Sequence, residues 1–214
     1  SSAASNVATK DVSVGSVNDA PVVATSGGST PYTEDDPATT IDGSLTVTDQ
    51  DDTNLEGGQV RISSGFQSGD DLVFVNQNGI SGVYNSGTGV LTLTGTASKA
   101  DYQTALRSIQ FQSTNDNPVT SKTVEFKVND GDSDSNAATK GITVTPVNDA
   151  PTVNTSSGSA SFTEGGAAAA VDSNLTVSDP DSPNLQGATV SITGNFTSAD
   201  GDTLNFVNTT NISG

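Results

Sequence analysis

The chain has 214 residues, of which 31% are apolar and 5% aromatic, and its 25 acidic and 7 basic side chains give a net charge of -18. This charge argues against nucleic acid and anionic membranes as partners and favours cations. The absence of Cys and His excludes disulfides, thiol chemistry and the usual zinc and copper sites, leaving oxygen donors that suit calcium.

The sequence repeats itself along most of its length. Residues 5–21 return as 135–151, an offset of 130 residues that later segments share. The second copy then gains two residues, so that Leu72 corresponds to Leu204. Such self-similarity indicates a tandem array of one structural unit.

The repeat sets the predicted domain boundaries. We expect residues 1–16 to end a preceding repeat, 17–146 to form a complete repeat, and 147–214 to form the first half of a following one. An incomplete sandwich exposes unpaired strand edges. We therefore expect the chain to be a piece of a longer array.

Within the complete repeat, apolar residues alternate with polar ones in short runs, which predicts half-buried strands. The alternating positions are Leu45 with Val47, Val60 with Ile62, Leu91 with Leu93, Val124 with Phe126 and Val128, and Ile142 with Val144. Clusters of Gly, Asn and Asp at 63–71 and 83–90 are typical of turns. The pattern predicts an all-β fold, an antiparallel sandwich of about seven strands.

One segment of the complete repeat follows a helical pattern instead. It begins at Ser98, a residue that caps helices, and carries Asp101 in its first turn. Tyr102, Leu106 and Ile109 then recur at helical spacing. We expect a short helix that crosses between the two sheets.

Several motifs of the repeat resemble those of cadherin repeats. The stretch Val124–Pro151 is similar to the end of such a repeat, with a penultimate strand, an Asp-Gly turn, a last strand and an Asn-Asp-Ala-Pro linker. Tyr32–Glu34 resembles the early glutamate segment, and Asp49–Asp51 the Asp-x-Asp loop. The likeness is greatest to cadherin-like repeats of large bacterial surface adhesins. It implies immunoglobulin-like Greek-key sandwiches that bind calcium.

The resemblance implies a calcium cluster at each junction between repeats. For the first junction it implies the ligands Asn18, Asp19, Asp49, Asp51 and Asp130. For the second it implies Glu34, Asp116, Asn148, Asp149, Asp179 and Asp181, while Glu164 corresponds to Glu34 in the following repeat. The linker lacks one Asp and one Asn of vertebrate-type cadherins, which implies fewer ions per junction.

The presence of these residue types can also be explained without a metal. Asp and Asn occur in tight turns because they bond their own backbone, and a Pro-containing linker is stiff by itself. We favour this interpretation for Asp70, Asp71, Asp132 and Asp134. The recurrence of the Asp-x-Asp and Asn-Asp-Ala-Pro pairs in both copies favours calcium for Asp49, Asp51, Asn148 and Asp149.

These observations predict a non-enzymatic extender or adhesive segment of a secreted, cell-surface repeat protein. No run approaches the roughly 20 apolar residues that span a bilayer. Asp70 and Asp71, the paired carboxylates considered for catalysis, lie in a polar, Gly-rich stretch without an apolar pocket. The expected partners are calcium and neighbouring repeats of the same chain, without nucleic acid or membrane insertion.

Two other functions stay open at this point. The first is a carbohydrate- or protein-binding sandwich module at the cell surface, although Trp is absent and Tyr is rare. The second is a fibre subunit that assembles with its own copies by strand complementation. Lys10 and Lys140 are candidates for intramolecular amide crosslinks, with ordinary strand-end charge as the alternative.

Overall fold

The structure is a computed structural model that describes residues 1–15, 17–197, 199 and 201–214. The chain divides into two compact units, residues 1–147 and 148–214. The boundary predicted at residue 16 lies outside the described residues.

The first unit is mostly β, as the alternation predicts, and its described residues form eleven strands and one helix. The strands are β1 (Val22–Ala24), β2 (Ser29–Thr33), β3 (Thr39–Thr40), β4 (Thr46–Thr48), β5 (Asn54–Ser64), β6 (Asp70–Val73), β7 (Ser81–Asn85), β8 (Val90–Ser98), β9 (Gln110–Ser113), β10 (Ser121–Asn129) and β11 (Ala138–Thr145). The helix is α1 (Lys99–Arg107).

The strands form a six-stranded sheet in the order β2-β11-β10-β5-β8-β7, a three-stranded sheet β3-β9-β6, and a two-stranded pair β1-β4. The alternating apolar residues of all five predicted runs are buried in a single core, which confirms the strand predictions. Phe111 of β9 meets Tyr32 of β2 edge-on in this core, with 5.0 Å between ring centroids.

Two details of the predicted sandwich are wrong. β11 pairs with β2 in parallel, from Gly141 opposite Ser29 to Thr145 opposite Thr33, and the strands exceed seven. β2 lies near the start of the unit in sequence and β11 at its end. The two strands are neighbours in the sheet and run in the same direction. One of the additional strands arises because Asp35, with φ of 63°, and Pro37 separate β2 from β3, which pair in different sheets.

Helix α1 forms where the sequence predicts it. The Ser98 Oγ accepts a hydrogen bond from the Asp101 N–H at 3.1 Å, which satisfies a free donor of the first turn. Tyr102 and Leu106 are buried, and Ile109 is buried just beyond the helix end. The helix connects β8 of the six-stranded sheet with β9 of the three-stranded sheet, as expected.

The second unit repeats only the beginning of this architecture in its described residues. Its strands β12 (Thr152–Asn154) and β13 (Thr176–Ser178) pair antiparallel, in the register of β1 with β4. Phe162 is 66% exposed, whereas its counterpart Tyr32 is 3% exposed. Among the described residues of the whole chain, no helix combines the length and the apolar character required to cross a membrane.

Candidate metal centre

The segment at residues 17–19 is hydrogen-bonded to two loops of the first unit. The Asn18 Nδ2 donates to Asp130 Oδ2 at 3.1 Å, and the Asp19 N–H donates to the Asp51 carboxylate at 3.1 and 3.3 Å. The structure thus brings together Asn18, Asp19, Asp51 and Asp130, four of the five residues predicted for the first junction.

The loop after β4 concentrates carboxylates. The N–H groups of Asp51 and Asp52 donate to Asp49 Oδ1 at 3.1 and 2.8 Å, which folds the loop around that side chain. Asp49, Asp51 and Asp52 each offer an oxygen within 4.8 Å of the others. The Asp49 Oδ2 is buried and accepts no hydrogen bond from the described residues. This oxygen is the kind of unsatisfied acceptor that a cation satisfies.

Asp52 is a candidate ligand that the sequence analysis missed. Burial raises the pKa of Asp52, and the neighbouring charges of Asp51, Asp49 and Asp130 raise it further. Comparison of the two copies conceals this residue, because its counterpart is Ser182. The signal that was available is the run of carboxylates itself, since Asp51 and Asp52 are adjacent.

Asp130 lies in the turn between β10 and β11. Its Oδ1 accepts hydrogen bonds from the N–H groups of Asp132 and Ser133, at 2.8 and 2.6 Å. Burial raises the pKa of Asp130, but the hydrogen bonds from Ser133 and Asn18 outweigh it and hold the pKa below its usual range. Asp130 is therefore charged at neutral pH. Asp134 accepts a hydrogen bond from Asn129 in the same turn.

Glu34 is 4% exposed at the end of β2. Its Oε2 accepts the Val147 N–H at 2.6 Å, whereas its Oε1 is buried and has no hydrogen-bond partner among the described residues. Asp116, on the exposed loop after β9, offers a carboxylate oxygen within 4.8 Å of one from Glu34. These two predicted ligands therefore lie together in the first unit.

The second unit repeats the loop pattern of the first. The Asp149 N–H donates to Asp181 Oδ2 at 3.2 Å, as that of Asp19 does to Asp51. The N–H groups of Asp181 and Ser182 donate to Asp179 Oδ1, at 3.3 and 2.7 Å.

The other two predicted ligands of the second unit make different contacts. The Asn148 side chain donates to the Asp149 carbonyl at 2.7 Å. Glu164 lies in an exposed turn, with the Gly166 N–H donating to the Thr163 carbonyl beside it.

The structure corrects the sequence interpretation of Asp70. The sequence assigns it to a polar turn, but its side chain is fully buried at the start of β6 and forms an ion pair with Lys122. Asp71 points to the other side of the strand and accepts a hydrogen bond from Gln112. The turn itself is present, because the Asp70 Oδ2 accepts the Gln67 N–H at 2.8 Å. What the sequence did not indicate is the burial of Asp70 and the strand that begins there and pairs with β9, which is distant in sequence.

The lysines considered for crosslinks differ from each other. Lys140 is 5% exposed, so it is not a strand-end surface charge, and it donates to Ser26 and Gly27 oxygens rather than to a carboxylate. Lys10 is exposed.

Comparison with known proteins yields one similarity to a curated protein. Part of the chain is 45% identical over 112 residues to halomucin of Haloquadratum walsbyi, a match that covers 50% of this chain and 1% of halomucin. The chain thus spans about 1% of the length of the relative it matches, which is a very large protein. No family model matches the chain, and no solved structure matches it.

Proposed function

We propose that this chain is a non-enzymatic segment of a large, secreted cell-surface protein, in which cadherin-like β-sandwich repeats act as spacers or adhesive modules and calcium stiffens each junction. The 130-residue repeat, the β fold and the similarity to a mucin-named protein of great length support the architectural part. The carboxylate loop at Asp49, Asp51 and Asp52 is the observation that carries the calcium part.

The chemistry of this loop favours calcium among the common cations. Its donors are carboxylate and amide oxygens, and calcium takes about six to eight such ligands without a strict geometry. Three carboxylates within 4.8 Å repel each other, and the buried Asp49 Oδ2 lacks a compensating donor among the described residues. A bound divalent ion offsets the repulsion between the carboxylates and gives the buried Asp49 Oδ2 a partner.

Because the sequence repeats, the proposal extends to a second set of ligands. It comprises Glu34, Asp116, Asn148, Asp149, Asp179 and Asp181, with Glu164 serving the following repeat. Within its own unit, each of Glu34 and Asp181 has a buried oxygen without a hydrogen-bond partner among the described residues, and a cation would satisfy such an oxygen. Because each set includes residues of a linker, calcium would couple each linker to the loops that it meets.

A titration of the intact chain tests calcium binding. We expect calcium to raise the free energy of unfolding, by about 2.7 kcal/mol when its concentration is 100 times the dissociation constant. The double variant Asp49→Asn, Asp51→Asn should lose much of this stabilisation, because two charged ligands become neutral. Asp134→Asn, which changes a turn carboxylate outside the loop, is the matched control and should keep it.

Small-angle X-ray scattering of the intact chain tests the stiffening. We expect a better defined and longer maximum dimension in calcium than in chelator, since bound ions restrain the linkers. If calcium binds but the maximum dimension is the same in calcium and in chelator, the proposal that calcium stiffens the junctions is contradicted. The proposal that the chain binds calcium is not affected by that result.

The second unit favours one further candidate function, assembly between copies. Several of its apolar side chains are exposed although their counterparts in the first unit are buried, among them Leu185 at 45% and Val190 at 72%. Strands from another chain could cover such a surface. A concentration-dependent molar mass in light scattering supports assembly, and a constant monomer mass rejects it.

A further inference from the structure

A fully buried ion pair joins the two main sheets of the first unit. The Lys122 Nζ of β10, in the six-stranded sheet, lies 2.7 Å from Asp70 Oδ2 of β6, in the three-stranded sheet. Both side chains have 0% exposure. Burial of two opposite charges is costly even when they are paired, so this pair is not explained by stability alone.

The surroundings hold the amine in a fixed orientation. Besides Asp70, the Lys122 Nζ donates to the Gly65 carbonyl at 2.9 Å and to Gln67 Oε1 at 3.3 Å. These acceptors engage two of the three ammonium protons, so the third is directed at the Asp70 carboxylate. The Phe111 ring, 5.9 Å from Nζ, covers the pair on another side.

The Asp70 carboxylate is held equally firmly but is incompletely satisfied. Its Oδ2 accepts the Gln67 N–H at 2.8 Å in addition to the lysine. Its Oδ1 is buried and, among the described residues, accepts no hydrogen bond. A buried, charged carboxylate with one unsatisfied oxygen is a high-energy arrangement.

We propose that Lys122 and Asp70 condense to an intramolecular amide, a covalent bond between the two sheets. The chain has no Cys, so such a bond takes the place that a disulfide between the sheets occupies in other sandwiches. It would close a loop between residues that are 52 positions apart.

The reaction requires no oxidant or co-reactant. Proton transfer along the Lys122–Asp70 hydrogen bond gives a neutral amine and a neutral carboxylic acid, and the amine nitrogen then attacks the Asp70 Cγ. The new C–N bond forms as one C–O bond breaks. Two of the three ammonium protons leave with that oxygen as water, and the third stays on the amide nitrogen.

The product fits the site better than the ions do. Condensation removes both buried charges and one of the two carboxylate oxygens. The amide N–H can donate to the Gly65 carbonyl, which already accepts from Nζ, and the remaining oxygen can accept the Gln67 N–H. The second copy keeps the acid, since Asp202 corresponds to Asp70.

Intact-mass spectrometry of the denatured full chain tests this inference. We expect a mass that is lower than the sequence mass by one water molecule. Trypsin should then leave residues 62–99 joined to 108–127, because the modified Lys122 no longer permits cleavage between 122 and 123. Lys122→Arg and Asp70→Ala should each restore the sequence mass, whether or not the variants fold.

Lys127→Arg is the matched control, because it changes a neighbouring lysine of the same strand and should keep the deficit. The full sequence mass after prolonged incubation of the folded chain would overturn the proposal. So would a deficit that persists in Lys122→Arg or that maps to Asp130–Gly131, where cyclisation of Asp onto the following backbone nitrogen also releases water.

Discussion

At the scale of single residues, Asp42 shows how a buried carboxylate organises the start of a repeat. Its two oxygens accept hydrogen bonds from the Ser26 N–H at 2.7 Å, the Ser26 hydroxyl at 2.9 Å and the Ser44 N–H at 3.0 Å. The second copy repeats this arrangement with Asp172, which binds Ser156 in the same way. The arrangement therefore belongs to the repeat and needs no metal.

Asp42 should make the stability depend on pH. Burial raises its pKa, but the hydrogen bonds from Ser26 and Ser44 outweigh burial and hold the pKa below its usual value of 3.8. The charged form is thus preferred in the folded state, so its stabilisation is complete above about pH 5 and is lost as the pH falls through the folded pKa. Urea unfolding of wild type and Asp42→Asn between pH 3 and pH 7, in chelator, should show a shallower acid loss in the variant.

Ser26→Ala is the partial control for this prediction, because it keeps the Asp42 carboxylate and removes only the hydroxyl donor. We expect its pH dependence to lie between the other two. Parallel pH profiles for wild type and Asp42→Asn would contradict the assignment.

Asp35 carries a backbone cost that the second copy avoids. Its φ is 63°, and its counterpart Gly165 has φ of 72°. Glycine adopts this left-handed conformation without penalty, so Asp35→Gly should stabilise the first unit by about 0.5 to 1 kcal/mol. Urea unfolding in chelator measures the change, and Asp35→Asn separates the effect of charge from that of the backbone. A destabilised Asp35→Gly variant would show that the Asp35 side chain matters more than its backbone.

At the scale of elements, local sequence patterns predict the strands and the helix but not the contacts between distant segments. The alternation at Val60 and Ile62 and the capped segment after Ser98 were sufficient to place β5 and α1, because period and capping are properties of neighbouring residues. The parallel β2–β11 pair and the Lys122–Asp70 contact join distant segments, and no local pattern encodes them. Within the candidate site, the Asp-x-Asp repeat pointed to Asp49 and Asp51, whereas Asp52 lies outside that repeat and only the adjacent carboxylate of Asp51 hinted at it.

The N-cap of α1 is testable by itself. Ser98→Ala removes the acceptor for the Asp101 N–H and should cost about 1 kcal/mol of unfolding free energy, measured in urea. Thr104→Ala, at an exposed position in the middle of the same helix, is the control and should be neutral or slightly stabilising. Equal effects of the two substitutions would mean that the cap does not limit helix stability.

At the scale of the whole molecule, the two units differ in how completely they bury their apolar residues. Leu55 is 0% exposed in the first unit, and its counterpart Leu185 is 45% exposed in the second. Since burial of apolar area provides most of the stabilising free energy, the second unit by itself is the less stable of the two.

Limited proteolysis should reveal this difference. Thermolysin, which cleaves at exposed apolar residues, should remove the second unit and the exposed start of the chain, where Val7 is 89% and Val12 83% exposed, and leave a resistant fragment that contains β1 to β11. Mass spectrometry of the time course identifies the fragment. Cleavage of both units at equal rates in a monomeric chain would contradict the difference in stability. The molar mass shows whether the chain is monomeric or whether a second copy protects the second unit.

The parallel pairing of β2 and β11 has a mechanical consequence for a chain that is pulled at its ends. Tension that enters ahead of β2 and leaves after β11 draws these neighbouring strands in opposite directions along their length. The hydrogen bonds of the ladder are then loaded in shear and must break together, whereas an antiparallel pair pulled from one end would open bond by bond. The first unit, loaded in this way, would resist extension through this ladder before any ion or covalent tie contributes.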